Sequence, residues 1–504
     1  MLSPETKGPS LRIPFWLGLI FFVLVLLAPL PEGMTPAGKK VLAAAFLMAT
    51  WWIGEALPIP CTALVPLALF PLMGVMKAGD VAPNYGNENI FLFMGGLFMA
   101  MAMQKWNLHR RMALAIVGLS GQKPGYLIMG FMLATGLISM WISDTATVMM
   151  MMPIGVAVIM HFEEHQKLPE QKQKDFAAAM MLGIAYAGVI GGIGTLIGTP
   201  PNLVFAGTVA KLVPDAPEIG FAKWMMVGGT VTITFLPLVW VYLTRIAFQI
   251  PLGDVDEGTD RQDMVKSQLA QLGPMKKGEK ITLAVFLSAA LLWLTRGEYR
   301  GDEVLAPGWA LLFPNPDMIH DSTVAMLAAL ALFVMTVDGD RREYVLDWEW
   351  ARRIPWRVLL LFGGGFALAH AFQVTELADW IGRRIAFLEG LPAPLMVAVV
   401  CFLMTFLTEV TSNTATTTVM MPVLATAGHT MGIDPLLLMM PAAMSASCAF
   451  MLPVATPGNA IVFGSGYLTI PQMAKAGFWL NLVGVILITL VTILVGVPVF
   501  GLRY

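Results

Sequence analysis

Two short polar stretches interrupt long apolar runs in this chain, and their residue types suit ion chemistry. The first is Trp141-Ile142-Ser143-Asp144-Thr145-Ala146-Thr147, and the second is Val410-Thr411-Ser412-Asn413-Thr414-Ala415-Thr416. In each, an apolar segment arrives, meets small polar residues, and a second apolar segment leaves. Ser, Thr, Asp and Asn cap helix N-termini. The leaving segment is therefore expected to present unpaired N–H groups and a partial positive charge at the polar patch, which makes an anion site. The carbonyls that end each arriving segment are unpaired as well. With Ser and Thr hydroxyls they suit a hard cation such as Na⁺, the pattern of broken-helix transporters. Two such tips facing each other hold a small anion by both ends. Plain N-capping and small-residue packing compete as the reading of one tip. They fit two tips in register less well.

A second pair of motifs follows. Gly198-Thr199-Pro200-Pro201-Asn202 and Ala455-Thr456-Pro457-Gly458-Asn459 each end an apolar, small-residue segment. Proline removes a donor and disturbs the preceding turn, so each motif is expected to break a membrane helix. The carbonyls of Gly198 and Ala455 become candidate cation ligands. An ordinary proline kink is the competing reading.

These motifs belong to an internal repeat. Phe93-Met94-Gly95-Gly96 matches Phe362-Gly363-Gly364-Gly365, and Ser143 to Thr147 match Ser412 to Thr416, both at an offset of 269. The same offset carries Ser139 onto Thr408 and Met152-Pro153 onto Met421-Pro422. The Thr-Pro motifs match at an offset of 257. Interrupted segments at matching places in two halves point to a secondary transporter's binding site. An odd number of crossings per half makes the repeats inverted.

Composition sets the surroundings. Of 504 residues, 57% are hydrophobic and 13% charged, with 31 Lys and Arg against 33 Asp and Glu. That excludes a soluble enzyme, a disordered scaffold and a nucleic-acid binder driven by basic charge, and leaves a polytopic protein of the lipid bilayer. Several apolar segments are shorter than the roughly 20 residues a helix needs to cross a bilayer. Paired short segments suggest hairpins that enter and return. The run from Ile13 to Leu30 reads as a retained first helix rather than a cleaved signal. The polar stretches 248–280 and 338–357 are rich in Lys and Arg, whereas 298–321 carries Glu298, Asp302, Glu303 and Asp317. The charge bias places the first two in the cytoplasm and the third outside.

Other groups read as structural. Cys61, Cys401 and Cys448 read as small buried hydrophobes. Glu55 and Glu409 read as carboxylates satisfied by internal hydrogen bonds, against a functional role. His161-Phe162-Glu163-Glu164-His165 fits an inverted zinc-protease pattern, but it sits at a solvated helix end. An intramembrane metallohydrolase is the remote alternative. Gly191-Gly192-Ile193-Gly194 reads as helix packing rather than a nucleotide loop. No Walker motif is present.

The chain resembles the divalent anion/sodium symporter family of dicarboxylate and citrate cotransporters. The resemblance rests on Ser412-Asn413-Thr414, its near-copy Ser143-Asp144-Thr145, and Glu409. Gly198-Thr199-Pro200-Pro201-Asn202 and Trp51-Trp52-Ile53-Gly54-Glu55-Ala56-Leu57-Pro58 support it. It runs over nearly the whole chain. It implies an all-α polytopic fold of about eleven transmembrane helices plus two re-entrant hairpins in two inverted repeats. It further implies a homodimer working by an elevator mechanism in a bacterial inner (plasma) membrane, and no enzyme activity.

Carried over by motif, the first sodium site uses Ser139, Ser143, Asp144 and Gly198, and the second uses Thr408, Thr411, Asn413 and Ala455. Substrate contacts fall to Asp144, Thr145, Thr199, Pro200, Ser412, Asn413, Thr414, Thr456 and Pro457. Na⁺ is the expected coupling ion, with H⁺ coupling or anion exchange the alternatives, and no cofactor is expected. Succinate, malate, fumarate, 2-oxoglutarate, citrate and sulfate all suit such a site. The implied organisation is scaffold helices and first arm in 1–122, and the first half of the transport domain in 123–247, with a hairpin at 124–160 and a broken helix at 177–213. A cytoplasmic connection at 248–280 leads to scaffold helices and second arm in 281–390. The second transport half is 391–504, with a hairpin at 392–428, a broken helix at 435–463 and a last helix at 475–500.

The sequence departs from the family pattern at Asp144, where Asn is usual. Three readings stand open: a cation ligand and helix cap, a group protonated when the anion is bound, or a site for a less negative substrate. Gly458, in place of a second proline, is expected to soften the second break.

Overall fold

The computed structural model describes residues 13–120, 123–165, 169–250, 267–297, 299–300, 304–338, 343–385 and 392–503. The charged stretch 251–266 and the charged residues Glu298, Asp302, Glu303, Arg341 and Arg342 lie outside them. Helix dominates. The strands among the described residues form two short antiparallel ribbons, Tyr299–Arg300 with Val304–Ala306 and Thr336–Asp338 with Glu343–Tyr344.

The first half comprises α1 (Ile13–Leu27), α2 (Pro36–Ile53), α3 (Ile59–Thr62), α4 (Val65–Leu72), α5 (Ala78–Val81), α6 (Glu88–Lys105), α7 (Leu108–Leu119), α8 (Pro124–Ser139), α9 (Asp144–His165), α10 (Glu170–Ile193), α11 (Pro200–Leu212) and α12 (Phe221–Val241). The second comprises α13 (Lys277–Leu294), α14 (Asp321–Val334), α15 (Trp348–Ala351), α16 (Trp356–Val374), α17 (Leu377–Ile385), α18 (Ala393–Thr408), α19 (Asn413–Thr430), α20 (Leu436–Ser447), α21 (Pro457–Phe463), α22 (Ile470–Val491) and α23 (Val497–Phe500). Helices α6 to α12 correspond one for one to α16 to α22. Even a local irregularity recurs: α12 runs into a π-helical turn at Tyr242–Ala247, and α22 into one at Thr492–Gly496. Among the described residues five helices are long and apolar enough to cross a membrane, and α8, α18 and α20 are among the shorter apolar ones.

The halves interlock crosswise. Helix α6 packs on α13 and α14 of the second half, and α16 packs on α2, α3 and α4 of the first. Two equivalent glycines permit this. A Cβ on Gly95 would lie 2.7 Å from the Ala325 carbonyl carbon, and one on Gly364 would lie 2.7 Å from the Ala63 Cα. Phe93 and Phe362, matched by the repeat, meet with ring centroids 5.5 Å apart. Gly191 lets α10 close on α8, since a Cβ there would lie 2.7 Å from the Gly136 Cα. The glycine run at 191–194 is thus a packing feature.

Polar ties fix the ends. At the C-terminus of α6, Lys105 Nζ donates to the Tyr344 carbonyl and pairs with Asp347, both at 2.7 Å, just before α15 and α16 begin. Helices α6 and α16 therefore run in opposite directions. Burial pushes the Asp347 carboxyl up, but Lys105 and the Trp350 N–H outweigh it and hold the group below the usual carboxylate range. Lys277 Nζ donates to the Val337 carbonyl at 3.0 Å, so the end of the polar stretch 248–280 meets the residue that precedes the stretch 338–357. At the opposite end of α13, Arg296 pairs with Asp321 at 2.6 Å and Glu218 at 2.5 Å, while the Phe221 N–H donates to Asp321 at 2.7 Å.

Two expectations need correction. Cys401 and Cys448 are buried, but Cys61 is exposed, because it lies in the four-residue helix α3 rather than in a packed span. Glu55 is also exposed. It takes a left-handed conformation, with φ of 45°, in the turn that ends α2, which carries its side chain out of the core.

Candidate ion and substrate site

Each hairpin tip forms where a short apolar helix stops at a small polar cluster. Helix α8 ends at Ser139 and α9 starts at Asp144, while α18 ends at Thr408 and α19 starts at Asn413. The tips share one burial pattern. Ser143, Asp144 and Thr145 are half-buried, as are Ser412, Asn413 and Thr414. Ser139 and Thr408 are fully buried behind them. Ser139 Oγ donates to the Gly188 carbonyl at 2.6 Å, and Thr408 Oγ1 lies 2.9 Å from the Ala446 carbonyl. A hydroxyl that donates its proton this way keeps its lone pairs for a cation.

The broken helices supply the rest. Helix α10 ends at Ile193 and α11 begins at Pro200, with proline in the first helical position, where its missing N–H costs nothing. Helix α20 ends at Ser447 and α21 begins at Pro457. Thr199 and Thr456 are the N-caps of the second pieces, and Gly198 and Ala455 precede them, buried. Thr456 Oγ1 accepts from the Asn459 N–H at 3.1 Å. Pro200 is half-buried and Pro457 exposed.

Contrary to expectation, Gly458 does not soften the second break. The unwound stretch 448–456 is longer than 194–199. Its physical reason is Glu409, which accepts from the N–H groups of Phe450, Met451 and Leu452 in place of helical carbonyls.

The repeat crosses over here too. Helix α21 packs on α9, and α11 packs on α19. A Cβ on Gly458 would lie 3.4 Å from Val148, so the first turns of α9 and α21 stand side by side. The second helix of each break thus rests against the hairpin of the other half. Among the described residues no hydrogen bond joins one tip directly to the other.

The tips differ in one respect. Asp144 Oδ1 accepts from the N–H of Thr145 at 2.6 Å and from its hydroxyl at 3.1 Å. Asn413 Oδ1 instead lies 2.5 Å from Thr408 Oγ1, whose one proton serves either this oxygen or the Ala446 carbonyl, and Thr411 Oγ1 bonds to Thr416 Oγ1 at 2.6 Å. Among the described residues the N–H groups of Thr414 and Ala415 have no acceptor, and no cation pairs with Asp144. The second tip therefore offers open donors to an anion. At the first, the carboxylate of Asp144 already occupies the donors of Thr145.

Sequence reasoning missed several supports. Asn202 and Asn459 stitch the breaks, Tyr186 donates to the Phe450 carbonyl at 2.9 Å, and Asn481 donates to Glu409 at 2.7 Å. The two Asn residues recur at matched places, a signal that was available. Tyr186 and Asn481 carry none. The His161–His165 pattern lies at the end of α9, and the side chains of Glu163, Glu164 and His165 fall outside the described residues.

The family model for the sodium:sulfate symporter transmembrane region matches residues 11–502. The chain belongs to this symporter family. The sodium-dependent dicarboxylate transporter SdcS of Staphylococcus saprophyticus is 44% identical over 489 residues, covering 96% of this chain and 91% of that protein. SdcS of Staphylococcus aureus matches with the same identity and coverage. Two solved transporters share the fold at low identity. MtrF of Neisseria gonorrhoeae, described among antimetabolite efflux pumps, gives a TM-score of 0.56 at 15% identity over 97% of both chains. The YdaH transporter of Alcanivorax borkumensis gives 0.54 at 13% identity, over 97% of this chain and 100% of its own. As a member of the symporter family the chain is an integral membrane transporter, not an enzyme, and its bacterial relatives place it in the plasma (inner) membrane.

Proposed function

We propose that this symporter imports small dicarboxylates of the succinate, malate and fumarate type, coupled to Na⁺. The observation that carries the reading is the pair of tips: two matched half-buried clusters, each backed by a fully buried hydroxyl within hydrogen-bond reach of a carbonyl on the neighbouring helix. The SdcS relatives, named as sodium-dependent dicarboxylate transporters, support substrate and ion together.

In this reading Ser139, Ser143, Asp144 and Gly198 surround one Na⁺, and Thr408, Thr411, Asn413 and Ala455 a second. Thr145, Thr199, Pro200, Ser412, Thr414, Thr456 and Pro457 face the substrate, with Asp144 and Asn413 shared between ion and anion. The open N–H groups of Thr414 and Ala415 take one carboxylate. A cation drawn to Asp144 competes with Thr145 for its oxygens and releases the Thr145 donors for the other carboxylate. Na⁺ then raises affinity for the dianion, and the dianion raises affinity for Na⁺ by the same factor.

The opposite directions of the equivalent helices α6 and α16 support inverted repeats, and so an eleven-span topology with two re-entrant hairpins. The grouping of both hairpins with both broken helices supports a transport domain that moves as an elevator against scaffold helices within a homodimer. A second reading, proton-coupled or exchange transport, is favoured by one observation: Asp144 is a carboxylate without a basic partner among the described residues. Succinate uptake into proteoliposomes under an inward Na⁺ gradient, an inward H⁺ gradient or neither tests both. Accumulation driven by Na⁺ supports the first reading, and accumulation driven by H⁺ or counterflow without a cation gradient supports the second.

A further inference from the structure

Glu409 ends α18 inside the second tip, between Thr408 and Thr411, and is 3% exposed. Its Oε1 accepts from the N–H groups of Phe450 and Met451 at 2.7 and 2.9 Å and from Asn481 Nδ2 at 2.7 Å. Its Oε2 accepts from the Leu452 N–H at 3.2 Å. Successive backbone N–H groups form a concavity that binds anions, and here the anion is the protein's own side chain. An ionised carboxylate is an acceptor only, so four donors use it without a cation. Among the described residues no Lys, Arg or His pairs with it.

The nest lies in the unwound stretch that ends at Ala455 and Thr456. Once Glu409 holds residues 450–452, the rest of the stretch is tied in turn. The Leu452 carbonyl accepts from the Ala455 N–H at 3.1 Å and from Asn459 Nδ2 at 3.1 Å. Tyr186 holds the Phe450 carbonyl from one side, and α22 backs onto the stretch from another, where a Cβ on Gly477 would lie 2.5 Å from the Met451 nitrogen. Among the described residues the first half has no such device. The repeat puts Met140 where Glu409 stands. There Trp224 Nε1 donates to the Ile193 carbonyl at the end of α10, and the Thr195 hydroxyl of the unwound stretch donates to the Met140 carbonyl.

We propose that Glu409 is a positioning residue for the second cation subsite: by bonding the nest at 450–452 it fixes the spacing between Thr408 and Thr411 on the tip and Ala455 on the broken helix, without touching the ion. The proposal rests on the sodium-coupled reading above. Loss of the clamp leaves every ion ligand in place but no longer pre-arranged, so cation affinity falls while the transport step survives.

The test is Na⁺ titration of radiolabelled succinate uptake in proteoliposomes of the full chain. Glu409→Gln keeps the shape but turns an N–H₂ toward backbone N–H groups. It is expected to raise the Na⁺ half-saturation about tenfold, with uptake at saturating Na⁺ within about threefold of wild type. A general structural defect lowers uptake at all Na⁺ concentrations alike, and an unshifted half-saturation overturns the proposal. If Glu409→Gln does not assemble, Asn481→Ala removes one donor and keeps the nest. It is expected to shift the half-saturation in the same direction by about threefold, and no shift overturns the clamp. If wild-type uptake shows no Na⁺ dependence, the symport reading alone fails. The clamp is then read from the succinate half-saturation, which Glu409→Gln must raise and whose constancy overturns it.

Discussion

Asn202 and Asn459, 257 residues apart, make the same pair of hydrogen bonds. Each Nδ2 reaches the carbonyls ten and seven residues earlier: Gly192 at 3.1 Å and Thr195 at 2.7 Å in the first half, Ala449 at 3.0 Å and Leu452 at 3.1 Å in the second. Both side chains are fully buried. Each amide closes the gap that its Thr-Pro break opens. Replacing either by Ala strands one buried carbonyl, that of Gly192 or of Ala449, at about 1–3 kcal/mol, while the Thr195 and Leu452 carbonyls keep the N–H groups of Gly198 and Ala455. Asn202→Ala and Asn459→Ala are expected to lower the thermal unfolding midpoint of the purified protein by similar amounts. A midpoint unchanged in either variant contradicts the stitch.

Asp144 and Asn413 stand at matched positions yet bond differently, one to Thr145 and the other to Thr408. Asp144→Asn removes the charge and keeps an acceptor for the Thr145 N–H. Transport is expected to persist, with its dependence on Na⁺ or on pH altered. Uptake measured across both variables decides. An unaltered dependence on both removes Asp144 as cation ligand and as proton carrier.

How far these features could be read from the sequence follows from how local they are. The tips were legible because Ser143-Asp144-Thr145 and Ser412-Asn413-Thr414 are polar residues where lipid or protein surrounds the chain, and helix capping is a short-range rule. The breaks at Pro200 and Pro457 were legible for the same reason. The length of the second break was not. It depends on Glu409 reaching a segment 41 to 43 residues away, and the local rule about Gly458 pointed the other way. The crosswise packing of α6 and α16 was equally hidden. Gly95 and Gly364 stood out only as a match in the repeat, and the fold names Ala325 and Ala63 as their close neighbours.

The Gly364 contact gives a sharp steric test. A methyl group there meets the Ala63 backbone at 2.7 Å, closer than real Cβ contacts come, and backbone cannot swing aside as a side chain can. Overpacking of this kind costs about 1–3 kcal/mol or more. Gly364→Ala is expected to reduce folded yield and the unfolding midpoint. Gly432→Ala is the comparison in which no neighbour lies within 4 Å, although its φ of 69° adds local strain. A Gly364→Ala protein as stable as wild type shows that α16 does not pack this tightly on the first half.

Arg296 is the cation of a buried node, with Asp321 only 1% exposed and tied both to the guanidinium and to the Phe221 N–H. Removing one partner of a buried pair costs up to about 3–5 kcal/mol, and without Asp321 the Arg296 guanidinium keeps only the half-exposed Glu218 as counterion. Asp321→Asn is expected to destabilise far more than Glu349→Gln, whose pair with Arg352 is exposed on both sides. Chemical denaturation in detergent measures the difference. Equal effects contradict the node.

The most direct measurement is succinate uptake into proteoliposomes containing the purified chain, with an inward Na⁺ gradient, an inward H⁺ gradient, or neither. Sodium-coupled symport predicts accumulation above equilibrium with the Na⁺ gradient alone. Accumulation with the H⁺ gradient alone, or counterflow that needs no cation gradient, contradicts it.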